Sequence, residues 1–131
     1  MFRHIHGLML DALLAHPEGL SLNALARLLR GRAARSVVLR EVRGLSEMGL
    51  VSIVRDERHR QRRIVRPERE VAELMERFRE LRPSNFEEAL RNIPRMLLLL
   101  REVKGRSGGH LVEYLKYRMR EDFSHILEVI V

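Results

Sequence analysis

The 131-residue chain has no cysteine, which excludes disulfides and thiolate metal sites but leaves the compartment open. Its longest uninterrupted apolar run, Met96 to Leu100, is five residues, against the roughly 20 that a membrane-spanning helix needs. No charged-then-apolar leader opens the chain, so a cytoplasmic protein without a membrane partner is the expectation. The motifs of catalysis are missing as well: there is no Gly-rich phosphate loop, no Ser-His-Asp arrangement and no nucleophile elbow. His4 and His6 are two residues apart, on different faces of a helix, and read as surface or partly buried histidines. His110 and His125 are some four turns apart and make no constellation. The adjacent carboxylates Glu87-Glu88 and Glu121-Asp122 read as helix-terminal and solvated charges, and Tyr114 with Tyr117 as core packing. No catalytic residue, metal or cofactor is expected, and the chain is not read as an enzyme.

Lysine is also scarce, at 2 residues against 23 arginines. An arginine-rich composition explains the choice of cation but not its placement. Residues 1–26 hold one arginine and two acids, net −1; residues 27–66 hold twelve arginines and four acids, net +8; residues 67–131 balance to zero. The whole excess of the +7 chain therefore falls in one stretch, as a polyanion partner would require.

That stretch reads as a helix, a corner and a hairpin. A helix over 33–48 places Ala34, Val38, Val42 and Leu45 on one stripe, with Ser36, Arg40, Arg43 and Glu47 opposite. Gly49 suits the position after the helix end, where positive φ is common. Leu50 to Arg55 and Arg62 to Arg66 are β-branched runs that can pair. The tip between them, Asp56 to Gln61, has no glycine, which predicts a longer, mobile loop in place of a tight turn. An exposed arginine-bearing helix followed by an arginine-tipped hairpin suits a major groove and its neighbouring backbone.

Upstream, residues 3–15 read as a first helix with Ile5, Leu8, Met9, Ala12 and Leu13 on one face, closed by His16-Pro17-Glu18-Gly19. Leu20-Ser21 can form a short strand, or Ser21 can cap a second helix over 22–29 whose inner residues are Leu22, Leu25, Ala26 and Leu29. Downstream, Pro67 suits the first turn of a fourth helix with Val71, Leu74, Met75, Phe78 and Leu81 facing in. Ser84 and Glu87 read as a capping box for a fifth helix, which Pro94 should kink or split. Gly105 to Gly109 reads as a flexible turn, and a sixth helix runs from His110 to about Ile130. Gly44, inside the third helix, permits close packing against a neighbour or is simply tolerated.

The residues Leu25-Ala26, then Val38 and Arg40, then Leu45-Ser46-Glu47-Met48-Gly49-Leu50-Val51 and the hairpin resemble the winged helix-turn-helix of MarR- and ArsR-like transcription regulators. The resemblance covers residues 5 to 80. It implies a mainly α fold with a small β-hairpin wing (α+β) and a C-terminal helical extension. The domains expected are a DNA-binding domain over 1–82 and a helical dimerisation region over 83–131. It also implies a sequence-specific regulator of double-stranded DNA, working as a homodimer through its C-terminal helices, although the sequence leaves open that these helices pack as a hairpin onto the first helix within one monomer. Base readout would fall to Ser36, Arg40 and Arg43, and backbone contacts to Arg27, Arg30, Arg32 and Arg35. The wing, 51–66, would contribute Arg55, Arg58, His59, Arg60, Arg62 and Arg63. Two alternatives stay open on the sequence: a DNA-coating architectural or partition protein of low specificity, and a winged helix used for protein contacts.

Overall fold

The computed structural model describes residues 2–106 and 109–131. Their order is α1 (His4–Leu14), β1 (Leu20–Ser21), α2 (Leu22–Leu28), α3 (Arg35–Glu47), β2 (Val51–Asp56), β3 (His59–Pro67), α4 (Arg69–Glu80), α5 (Phe86–Arg106) and α6 (Gly109–His125). The fold is mainly helical with a three-stranded antiparallel sheet in the order β1-β3-β2. The chain forms two compact units, Met1–Ala72 and Glu73–Val131. They divide inside α4, whereas the boundary expected from sequence lies after that helix, at 82/83.

In the first unit, the apolar stripes of three helices and one face of the sheet close on a common core. Met9, Leu10 and Leu13 of α1, Leu25 and Ala26 of α2, Val38, Val42 and Leu45 of α3, and Val51 and Val65 of the strands are buried. The inward face of α1 differs from the expected one. It carries His6, Gly7, Met9, Leu10 and Leu13, while Ile5, Leu8 and Ala12 are half-buried at its margin. The helix is rotated because His6, expected at the surface or partly buried, is fully buried against a partner inside. Ser21 fills both proposed roles: it pairs with Ile64 in the sheet, and its hydroxyl accepts from the Ala24 N–H at 3.1 Å to cap α2. β1 reaches the sheet because Gly19, at φ +108°, lets the backbone pass against Ile64 and Val65 where a Cβ would collide.

α3 ends as its sequence dictates. Gly49 takes φ +77°, its N–H bonds the Ser46 carbonyl at 3.0 Å, and the Leu50 N–H reaches back to the Leu45 carbonyl at 3.1 Å. This Schellman pairing satisfies the final carbonyls and turns the chain directly into β2. Ala34, expected on the buried stripe, is instead the exposed N-cap residue of α3.

Two expectations near the wing are corrected. The open loop over 56–61 is a two-residue turn, Glu57-Arg58, between the paired residues Asp56 and His59. Asp56 supplies what glycine would: its Oδ1 accepts from the Arg58 N–H at 3.0 Å, and its other oxygen lies 3.9 Å from the Arg62 guanidinium. The surplus residues are absorbed in a register shift between Arg55 and Asp56. Pro67 ends β3 instead of starting α4. Glu68 fills the joint, donating its N–H to the Leu50 carbonyl at 3.0 Å and accepting from the Ser52 hydroxyl at 2.6 Å.

In the second unit, α5 begins one residue later than a Ser84 cap requires. Asn85 is the N-cap, accepting from the Glu88 N–H at 2.8 Å, and Glu88 in turn accepts from the N–H and hydroxyl of Ser84. These bonds from Ser84 hold the Glu88 carboxyl below the usual range. The same residue pattern allows either register, and Asn is as good a cap as Ser. Pro94 does not split α5, which continues to Arg106; of the expected turn over 105–109, residues 107–108 lie outside the described residues. α6 runs to His125 and ends in a π-helical turn, Ile126–Ile130. Of the stripe Leu111, Leu115, Met119, Phe123, Ile126, Leu127 and Ile130 that the helical spacing predicts, Leu111, Leu115, Met119 and Ile126 are buried, Phe123 and Ile130 are half-buried and Leu127 is exposed. Val112 and Tyr114, whose ring stacks on Tyr117 at 6.2 Å, are buried instead. Phe86, Leu90, Leu97 and Leu98 of α5 and Leu127, Val129 and Val131 at the end of the chain are exposed.

Candidate nucleic-acid interface

The stripe that buries Val38, Val42 and Leu45 leaves the opposite face of α3 outside. Ser36, Arg40, Arg43 and Glu47 are all exposed there, as the helical spacing predicts. Ala34 has no side-chain acceptor and the first turn of α3 holds no acid. Its leading N–H groups and positive helix end are therefore left for solvent or an anion. Arg27 and Arg30, on and after α2, and Arg32 in the turn before α3 are also exposed.

A groove of about 460 Å³ separates α3 from the wing. Arg35 and Leu39 line its helical side, Ser21 to Asn23 of the β1–α2 junction its end, and His59 with Gln61 to Arg63 the wing side. Across the corner of the helix-turn-helix, an Arg35 terminal nitrogen donates to the Asn23 side-chain carbonyl, tying the start of α3 to the start of α2. The groove thus collects Arg35, His59, Arg62 and Arg63 of the expected site. Ser36, Arg40 and Arg43 lie on the outer face of α3, and Arg55 and Arg58 lie on the wing, outside the groove lining. The side chain of Arg60 lies outside the described residues.

The wing sets like charges against each other. Arg55 and Arg63 are direct cross-strand partners, and both are exposed. Pairing alternates the faces, so the face carrying Val51 and Val65 into the core continues past its edge as Arg55 and Arg63. Like charges directly opposite destabilise a sheet. That cost is offset when an anion lies between or beside them.

The helical spacing does not predict what anchors α3. Glu41 is 7 % exposed, on the inner side of the helix. Its Oε2 lies 2.8 Å from His6 Nε2, and its Oε1 accepts from a terminal nitrogen of Arg3 and, at 3.4 Å, from Nε of Arg40. His6 Nδ1 accepts from the Arg3 N–H at 2.9 Å, so the imidazole proton sits on Nε2 and is donated to Glu41. Bonds from Arg3 first and His6 second pull the Glu41 carboxyl down to about 2, against burial, which raises it. Gly44 completes the cluster: a Cβ there would stand 3.4 Å from Glu41 Oε2 and 3.7 Å from His6 Nε2. Both are ordinary van der Waals distances, so the cluster does not require glycine at this position.

Asn23, Leu39, Gln61 and Glu41 are the residues of this surface that the sequence pattern does not single out. Among the described residues, no group of three or more His, Asp or Glu could hold a metal ion, and no helix is long and apolar enough to cross a membrane.

No protein-family model and no curated protein matches the chain. Among solved structures, it is similar to a point mutant of MepR from a multidrug-resistant S. aureus clinical isolate. The TM-score is 0.52 at 21 % identity, covering 96 % of this chain and 77 % of that one. At this identity the likeness concerns the backbone. It extends beyond the residues that carry the sequence resemblance and takes in the helices after the wing. The chain has the MarR-like winged helix-turn-helix fold.

Proposed function

We propose that the protein is a sequence-specific regulator of transcription that binds double-stranded DNA, with α3 in the major groove and the wing on the adjacent backbone or minor groove. The observation that carries this reading is the union of one fold and one charge distribution. The surface on which a winged helix-turn-helix meets DNA is the surface that holds the chain's entire positive excess. Arg40 and Arg43 read base edges, with Ser36 beside them on a base or phosphate. Arg27, Arg30, Arg32 and Arg35 fix the register on phosphates. Arg55, Arg58, His59, Arg60, Arg62 and Arg63 grip the flanking strand. The role is binding, not catalysis, and its place is the cytoplasm.

The wing gives a direct test. Each phosphate contact contributes about −0.9 to the slope of log affinity against log salt. Arg62→Ala should weaken every duplex by a similar factor and make that slope shallower by about one. An unchanged slope would detach the wing from the backbone.

The regulator acts as a homodimer through the second unit. Phe86, Leu90 and Leu97 recur on one side of α5 and are exposed in the single chain, as are Leu127, Val129 and Val131. Exposed apolar side chains grouped in this way suit a surface that a second copy covers. A two-fold protein also matches half-sites about 34–36 Å apart. Sedimentation at micromolar concentration should give about 31 kDa, twice the 15.4 kDa chain. A monomer across that range would contradict the dimer.

A further inference from the structure

Two leucines line the groove beside α3: Leu22 is half-buried and Leu39 is exposed. Leu39 is 37 % exposed and lies on the groove's helical side, across from Gln61 to Arg63. One helical turn to either side of it stand Arg35 and Arg43. A lone exposed leucine needs no explanation on an ordinary surface. Here it interrupts a face whose other exposed members, Arg35, Ser36, Arg40, Arg43 and Glu47, are all polar, and it borders a cationic groove. More than half of its surface is covered by its neighbours, and the rest is open to the groove.

In the major groove, the apolar feature presented by a base pair is the C5-methyl of thymine. We infer that Leu39 is a specificity-determining residue that reads a thymine methyl. Arg43 lies four residues further along α3, a rise of about 6 Å, which is less than two steps of about 3.4 Å along a DNA strand. The thymine therefore falls within about two base pairs of the base that Arg43 reaches. This assignment rests on the proposed placement of α3 in the major groove. It adds a chemical constraint that the arginines alone do not give: the preferred site contains a thymine close to guanine.

Deoxyuridine differs from thymidine only in lacking that methyl, so it tests the contact without altering the protein. A duplex enriched by the full-length chain from a random pool is resynthesised with each thymine replaced in turn by deoxyuridine. At one thymine per half-site the affinity should fall about fourfold, the value of one buried methyl-sized group. The same replacement should have no effect on binding by Leu39→Ala, while Leu39→Met, still apolar and of similar volume, should keep the sensitivity. A leucine that merely supports the helix would leave the deoxyuridine effect unchanged in Leu39→Ala, and that result would overturn the assignment. So would a wild-type protein insensitive to every thymine methyl, which can be read even if Leu39→Ala does not fold. Failure to enrich any duplex at all would instead remove the major-groove reading on which the assignment depends, and the assignment with it.

Discussion

Glu41→Ala should destabilise the first unit by about 2–3 kcal/mol, measured as the change in unfolding free energy in urea. The larger part comes from His6, which is 1 % exposed. Without the carboxylate its Nε2–H becomes a buried donor with no acceptor, at a cost of about 1–3 kcal/mol. The smaller part comes from Arg3, whose side chain is 53 % exposed, so that solvent screening leaves its pairing about 0–1 kcal/mol. A change below about 0.5 kcal/mol would mean that the cluster does not anchor α3. The acid limb supplies a second signature. Glu41 titrates at about 2 in the folded chain against an ordinary 4.5. A depressed carboxyl contributes stability that is fully present above the ordinary value and is lost as pH falls from about 4.5 towards 2. Glu41→Gln keeps the shape and removes the titration, so stability in that window should depend less steeply on pH than in the parent chain.

Arg40→Ala should cost about 1–3 kcal/mol on the preferred duplex and far less on random DNA. The proposed reading role rests on the place of Arg40 on the exposed face of α3. Arg40 is exposed on the outer face of α3, and its Nε is engaged by Glu41 at 3.4 Å. That bond directs the guanidinium from its inner edge and leaves the two terminal nitrogens as the pair that fits guanine O6 and N7. Affinity titrations with both duplexes at one salt concentration separate the cases. Equal losses on the two would move Arg40 to the phosphates and the protein towards a DNA coat of low specificity.

The residues that made the fold legible are those whose local chemistry leaves few choices. Val38, Val42 and Leu45 repeat at helical spacing, Gly49 supplies the positive φ of a helix end, and Ser21 caps α2. The exposed arginine face of α3 follows from the same periodicity. What was not legible depends on partners distant in sequence. His6 and Glu41 are 35 residues apart, and neither taken alone points to the other. A trace was present nonetheless: Glu41 lies three residues after Val38 and four before Leu45, on the buried side, and a charge there requires a partner. The same pairing turns the inward face of α1 away from the one its apolar spacing predicts. At the wing tip no glycine signals a tight turn, but the Asp56 carboxylate accepts a backbone bond to the same end. The groove itself, with Asn23, Leu39 and Gln61 on its walls, exists only once α2, α3 and the wing are brought together.

Recognition of particular DNA sequences by α3 is tested most directly by selecting bound duplexes from a random pool and titrating the winners with salt. The selection should converge on two half-sites related by two-fold symmetry, about 10–10.5 base pairs apart from centre to centre. Affinity for them should exceed that for random DNA by about a thousandfold or more at physiological salt, and both should weaken steeply as salt rises. A pool that stays random after repeated rounds, with one affinity for all duplexes, would contradict base readout by α3.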